Sequence, residues 1–205
     1  MNVLTETYSA PPVNKKEILR YSGAPGCAEF DMLLDECLRE AQDKLTYKVC
    51  FSQFKISRKK GIIDMGFAST DSKLVFRRLS GCSSVLVFAA TIGIEIDRLI
   101  AKYGKASASK ALFFQAIGAE RIEALCHTFC KQTATKMAVS GYSVGPRFSP
   151  GYSDFPLEAQ VQIFSALDCS RKIGLSLNDS LLMSPSKSVT ALVGIKELAV
   201  CDVTD

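Results

Sequence analysis

Ser84 to Ala90 reads SVLVFAA, an uncharged run of β-branched, aromatic and small side chains. A short continuous apolar run of this kind is the mark of a strand buried on both faces. Such a strand must sit inside a sheet, with material covering it above and below. It is not a membrane span. Even extended to Ile94 the stretch is interrupted by Thr91 and Gly93, and it falls well short of the ~20 apolar residues that a bilayer-crossing helix needs.

The rest of the chain arranges itself around that strand. Residues 1–12 end in Pro11-Pro12 and read as a loose N-terminal arm or an edge contact. Residues 13–205 read as a single domain, with Ser22 to Gly26 a turn-rich break early in it. Phe30, Leu33, Leu34, Cys37, Leu38, Ala41 and Leu45 recur at three- and four-residue steps and predict a helix over 28–45. Tyr47, Val49 and Phe51 alternate, and Phe54, Ile56 and Ile62-Ile63 follow at strand spacing, so short antiparallel strands are expected across 47–65. Ser69 to Asp71 cap a brief helix that Ser80-Gly81 ends. After the central strand, helical spacing runs from Gly93 to Tyr103 until Gly104 halts it. The longest helix extends from about Ser107 to Val139, with Gly118 inside it for close packing or a slight bend.

Further strands are expected near 175–177, 181–183 and 189–195. Strands and helices are mixed without regular alternation. The fold class is therefore α+β, a mostly antiparallel twisted sheet covered by helices.

Bulk properties exclude several functions. The formal charge is +4, and the tight basic clusters are only Arg58-Lys59-Lys60 and Arg77-Arg78, too sparse a pattern for a nucleic-acid surface. The first residues lack the basic start and apolar core of an export signal, which points to the cytoplasm. There the eight cysteines are expected reduced and packed as small apolar groups. No glycine-rich phosphate cradle occurs. No serine-histidine-aspartate set can be assembled around the one histidine, His127. Cys126, His127 and Cys130 share a helix but lack a fourth ligand and a Cys-x-x-Cys pair, so no metal is expected.

The candidate site is Arg147-Phe148-Ser149-Pro150-Gly151-Tyr152. A permanent cation and a phenol flank a Ser-Pro-Gly turn whose backbone groups are expected to face a ligand. Gly151 can take a positive φ and let a ligand approach the chain. Asp154 reads as an N-cap and Pro156 as the first turn of a helix running to Leu167, whose positive end favours an anion. The plain alternative is an arginine paired with a nearby acid in a turn that merely connects elements. Ser184 to Ser188 reads equally as a polar turn between strands or as a second pocket wall supplied by Ser186 and Lys187.

Arg147-x-Ser-Pro-Gly-Tyr-x-Asp-Phe-Pro156, a short helix, Ile173-Gly-Leu-Ser-Leu177 and Leu182-Met-Ser-Pro-Ser-Lys-Ser-Val189, in that order, resemble the activation domain of cobalamin-dependent methionine synthase. The junction Ala89-Ala-Thr-Ile-Gly93 resembles a segment of that family's stand-alone members. The resemblance implies an S-adenosylmethionine site at Arg147, Ser149, Pro150, Gly151 and Tyr152. Arg147 would take the carboxylate of the methionyl end and the Pro150 carbonyl an amino group. Long members also use an N-terminal acid against this ligand, for which Asp64 is a candidate.

By the same resemblance the long helix faces the cobalamin module, and Glu120 and Glu123 are candidate partner contacts. Cobalamin would be held by the partner, a cobalamin-dependent methionine synthase lacking its own activation domain, because this chain has neither an Asp-x-His-x-x-Gly loop nor adjacent zinc-binding cysteines. Flavodoxin or another electron donor would supply an electron, and the chain alone would have no catalytic residues. The alternative is a scaffold partner of another corrinoid methyltransferase, without S-adenosylmethionine-dependent activity. An ordinary S-adenosylmethionine methyltransferase ranks last, for want of a glycine-rich strand-to-helix loop.

Overall fold

The computed structural model describes residues 2–23 and 28–198. In chain order the elements are β1 (Leu4–Tyr8), α1 (Lys15–Ser22), α2 (Ala28–Ala41), β2 (Tyr47–Lys55), β3 (Ser57–Lys59), β4 (Ile62–Asp64), β5 (Ser69–Thr70), α3 (Lys73–Arg78), β6 (Ser84–Thr91), α4 (Glu95–Ala106), α5 (Ala108–Val139), β7 (Tyr142–Val144), α6 (Ala159–Leu167), α7 (Cys169–Ile173), β8 (Ser176–Leu177), β9 (Met183–Ser184) and β10 (Ser188–Glu197). The main sheet has the order β1-β2-β6-β10-β7, and every neighbouring pair in it is antiparallel.

The apolar run from Ser84 is the middle strand, β6, and all of its residues are buried. Its side chains alternate between two cores, as a period of two requires. Leu86, Phe88 and Ala90 face the core under α1, α2, α4 and α5. Val85, Val87 and Ala89 face a second core shared with α3, α6 and α7. Phe129 of α5 centres the first core, its ring 4.7 Å from Phe88 and 5.2 Å from Phe51. The α+β sheet covered by helices is thus the observed architecture, with helices on both faces.

Several local expectations change. Of the two readings of residues 1–12, a loose arm or an edge contact, the structure has the edge contact: β1 pairs with β2 from Leu4↔Phe51 to Tyr8↔Tyr47. Behind it, buried Arg121 of α5 donates to the Pro11 and Pro12 carbonyls at 2.6 and 2.7 Å, and buried Glu120 accepts from the Asn14 amide at 3.1 Å. The break at 22–26 lies largely outside the described residues, although Gly23 closes α1 in the left-handed conformation. Gly104 does not stop α4, which runs to Ala106. An interior glycine costs only about 1 kcal/mol relative to alanine, and the extended backbone of Ser107 makes the break, its side chain capping α5.

Gly118 serves close packing. A Cβ there would stand 2.8 Å from Lys187 Cγ and 3.0 Å from Ile96 Cγ1. The described cysteines are all free thiols, and all but Cys130 are buried. Among the described residues no helix is long and apolar enough to cross a membrane.

Candidate functional site

The segment after β7 runs antiparallel to β10 before it turns away. The Gly145 amide donates to Gly194 O at 2.9 Å, and Phe148 and Leu192 exchange backbone bonds of 2.9 and 2.8 Å. Phe148 is thereby fixed to the sheet, its ring 6.2 Å from that of buried Phe155. Between these two anchors the chain makes a closed turn. The Gly151 amide donates to Phe155 O at 2.9 Å and the Phe155 amide to Tyr152 O at 3.1 Å. Gly151 adopts φ +87°, a value that strains any residue with a Cβ. Its amide is spent inside the loop, so it does not face a ligand as the turn composition suggests. The Pro150 carbonyl accepts no hydrogen bond among the described residues.

Asp154 overturns the expectation that it caps the helix after it. That helix, α6, starts at Ala159 without a side-chain cap. The Asp154 carboxylate reaches instead to the start of α3, accepting from the Lys73 amide at 2.6 Å, the Leu74 amide at 3.0 Å and the Ser72 hydroxyl at 2.8 Å. Hydrogen bonds from Leu74 and Ser72 hold its pKa below the ordinary carboxylate value. The positive end of a helix beside the loop is therefore already occupied by an internal anion, and the loop is tied to α3.

Arg147 is paired with Glu123 of α5. Burial opposes the guanidinium charge while Cys126 and Glu123 favour it, and its pKa ends above the ordinary value. Burial pushes the Cys126 thiol up to about 12; it is uncharged at neutral pH, and Glu123 is the anion that matters there.

A cleft of about 520 Å³ opens beside the loop, in the range typical of small-molecule sites. Four of the five predicted positions line it: Arg147, Ser149, Pro150 and Tyr152, whereas Gly151 shapes the turn without lining it. Tyr152 stands at the surface, 70% exposed. The remaining walls come from Leu74 and Arg78 of α3, Glu123 of α5, Gln160 of α6, Met183 of β9 and Ser188, Val189 and Thr190 of β10. Arg78 makes no ion pair among the described residues. On the far side of the Arg147–Glu123 pair lies a second cavity of about 540 Å³, lined by Asn14, Tyr21, Cys126 and His127 among others.

Other candidates fall elsewhere. Ser186 and Lys187 do not line the cleft. Ser186 is exposed and donates its amide to Asp97 at 2.8 Å, and Lys187 lies along α5 over Gly118, where burial lowers its pKa and Asp97 counters it. The second wall comes from their neighbours Met183, Ser188, Val189 and Thr190. Glu120 is 4% exposed and bound to Arg121 at 2.5 Å, so it offers nothing to a partner surface; Glu123 is half-buried and engaged with Arg147. Asp64 accepts from the Gly66 amide at 2.9 Å in a surface turn and is not a cleft residue. Cys126 is buried while His127 is exposed.

Sequence reasoning missed Arg78, Gln160 and Thr190. Gln160 is a polar residue on the apolar face formed by Ala159, Ile163 and Leu167. Thr190 shares the strand face of Leu192, which belongs to the second core. A polar group at a buried period position is a detectable signal.

Comparison with known proteins gives one family and one architecture. Residues 31–199 match the family model described as vitamin B12 dependent methionine synthase, activation domain. Among solved structures, the crystal structure of the MetH reactivation domain bound to AdoHcy is similar with a TM-score of 0.67 and 17% sequence identity, over 95% of this chain and 78% of that one. Curated proteins return no match.

Proposed function

Because this chain belongs to the family of vitamin B12-dependent methionine synthase activation domains, we propose that it binds S-adenosylmethionine in the cleft beside Arg147 and supports remethylation of a cobalamin held by a partner methionine synthase. The observation that carries this reading is the cleft itself, where Arg147, Ser149, Pro150 and Tyr152 converge with a wall from β10. When bound, the sulfonium ligand supplies an electrophilic methyl group. The chain's own work is to orient it. Arg147 takes the carboxylate of the amino-acid end through a charge-assisted hydrogen bond. The Pro150 carbonyl accepts from its amine. Phe148, Leu74 and Met183 keep solvent from one side of the bound molecule, and Tyr152 at the rim is placed to meet whatever docks over it. This is catalysis by positioning.

The cobalamin partner is a methionine synthase without its own activation domain, and the electron comes from a donor such as flavodoxin. Titration calorimetry with S-adenosylmethionine and S-adenosylhomocysteine tests the ligand, with saturable heat and mutual competition expected; no heat at millimolar ligand overturns it. Pull-down from cell extract tests the partner. Recovery of a methionine synthase that lacks an activation domain is the expected result, and recovery of a different corrinoid protein refutes it.

A further inference from the structure

Among the described residues two buried side-chain oxygens have no hydrogen-bond partner, Gln160 Oε1 and Thr190 Oγ1. Both residues line the same cleft. Gln160 is 6% exposed and Thr190 2%, and they come from different elements, α6 and β10. Buried polar atoms are nearly always paired, and an unpaired one is a standing cost to the fold. Two of them in the lining of one cleft, one from a helix and one from a strand, mark a place built for something that brings its own donors and acceptors.

The surroundings restrict what that is. Leu74, Phe148, Met183 and Val189 give the same cleft apolar walls. The one carboxylate in the lining, Glu123, is committed to Arg147, so a cationic ammonium finds no free anion there. An anion would go to Arg147 or Arg78. An amide oxygen, a hydroxyl and apolar walls suit a flat, uncharged ring system with N–H and O–H groups of its own. We propose that Gln160 and Thr190 form the subsite for the nucleoside half of the ligand. Gln160 Oε1 accepts from the adenine amine or a ribose hydroxyl, and Thr190 Oγ1 bonds a ribose hydroxyl or ring nitrogen. The amino-acid half is left to Arg147. This assignment rests on the ligand proposed above and divides it between two sets of residues.

The test is calorimetric titration of the full chain with adenosine and, separately, with S-adenosylhomocysteine. Gln160→Leu and Thr190→Val should each weaken both ligands by about tenfold, the effect of one lost hydrogen bond to a buried group. Arg147→Ala should weaken S-adenosylhomocysteine and leave adenosine unchanged. Unliganded Thr190→Val should melt no lower than wild type, since an isosteric methyl replaces an unpaired hydroxyl; a residue with a purely structural hydrogen bond would melt lower. Thr190→Ser, which keeps the oxygen, should retain wild-type affinity, and Gln160→Met stands in if the leucine variant does not fold. Unchanged adenosine affinity in folded variants overturns the subsite alone. Weakening of S-adenosylhomocysteine without adenosine moves the two groups to the amino-acid half and also overturns it. If wild type binds neither compound, the ligand reading falls and the subsite with it.

Discussion

Glu123 and Arg147, 24 residues apart in sequence, form an ion pair that stands between two cavities and belongs to the lining of both. Their side chains are 44% and 33% exposed, and a pair this open contributes no more than about 1 kcal/mol. A carboxylate arriving in the cleft can therefore take the guanidinium from Glu123 at small cost. Glu123→Gln should tighten S-adenosylhomocysteine binding by up to about fivefold, the equivalent of ~1 kcal/mol. Arg147→Ala should weaken it by about ten- to hundredfold, since charge-assisted hydrogen bonds contribute roughly 1.5–3 kcal/mol. Calorimetry on both variants checks the pair, and weaker binding by Glu123→Gln would show that Glu123 touches the ligand itself.

The Asp154 carboxylate gives a pH-dependent signature. Its folded pKa lies below the ordinary 3.8 because the anion accepts from Leu74, Ser72 and Lys73. A lowered carboxylate pKa adds stability that is complete above the unfolded value and is lost as pH falls through the folded one. Asp154→Ala should therefore melt below wild type at pH 5 to 7, and the gap should close on acidification below about pH 4. Thermal melts across that range decide it; a gap that does not change with pH would rule out the ionised cap as its source.

Arg121 and Glu120 are 2% and 4% exposed, so removing one partner leaves a charge buried alone. Arg121→Met should cost about 3–5 kcal/mol of stability, a consequence of stranding Glu120. The same change releases the Pro11 and Pro12 carbonyls, and hydrogen exchange at Leu4–Tyr8 should quicken more than at β6. Glu120→Gln combined with Arg121→Met should recover part of the loss in denaturant titrations. Equal destabilisation by the single and double variants would argue against the stranded charge.

What the sequence disclosed follows the range of each interaction. The β6 run and the length of α5 are properties of neighbouring residues, and their patterns locate both elements to within a residue or two. Asp154 was misplaced for the opposite reason. Its spacing to Pro156 is what an N-cap looks like locally, but the helix it caps begins 81 residues away at Lys73. Glu120 and Glu123 look alike in sequence, and only the fold buries the first, against Arg121 and the Asn14 amide. The loop at 147–152 was legible because its residue types are restrictive, whereas the cleft's other walls are assembled by strand and helix packing. Ser186 and Lys187 show the limit. Ser186 bonds Asp97 and Lys187 lies over Gly118, whereas Ser188, two positions beyond Ser186, lines the cleft.

Helix α5 is about 48 Å long at 1.5 Å per residue, yet Gly118, Glu120, Arg121 and Glu123 do their work within less than two turns of it. The seat for Lys187, the clasp on the amino-terminal arm and the counterion of Arg147 are thus indexed to one another like teeth on a single key. A single-residue deletion just before Gly118 would rotate all three by ~100° together, disarming sheet edge and cleft in one stroke.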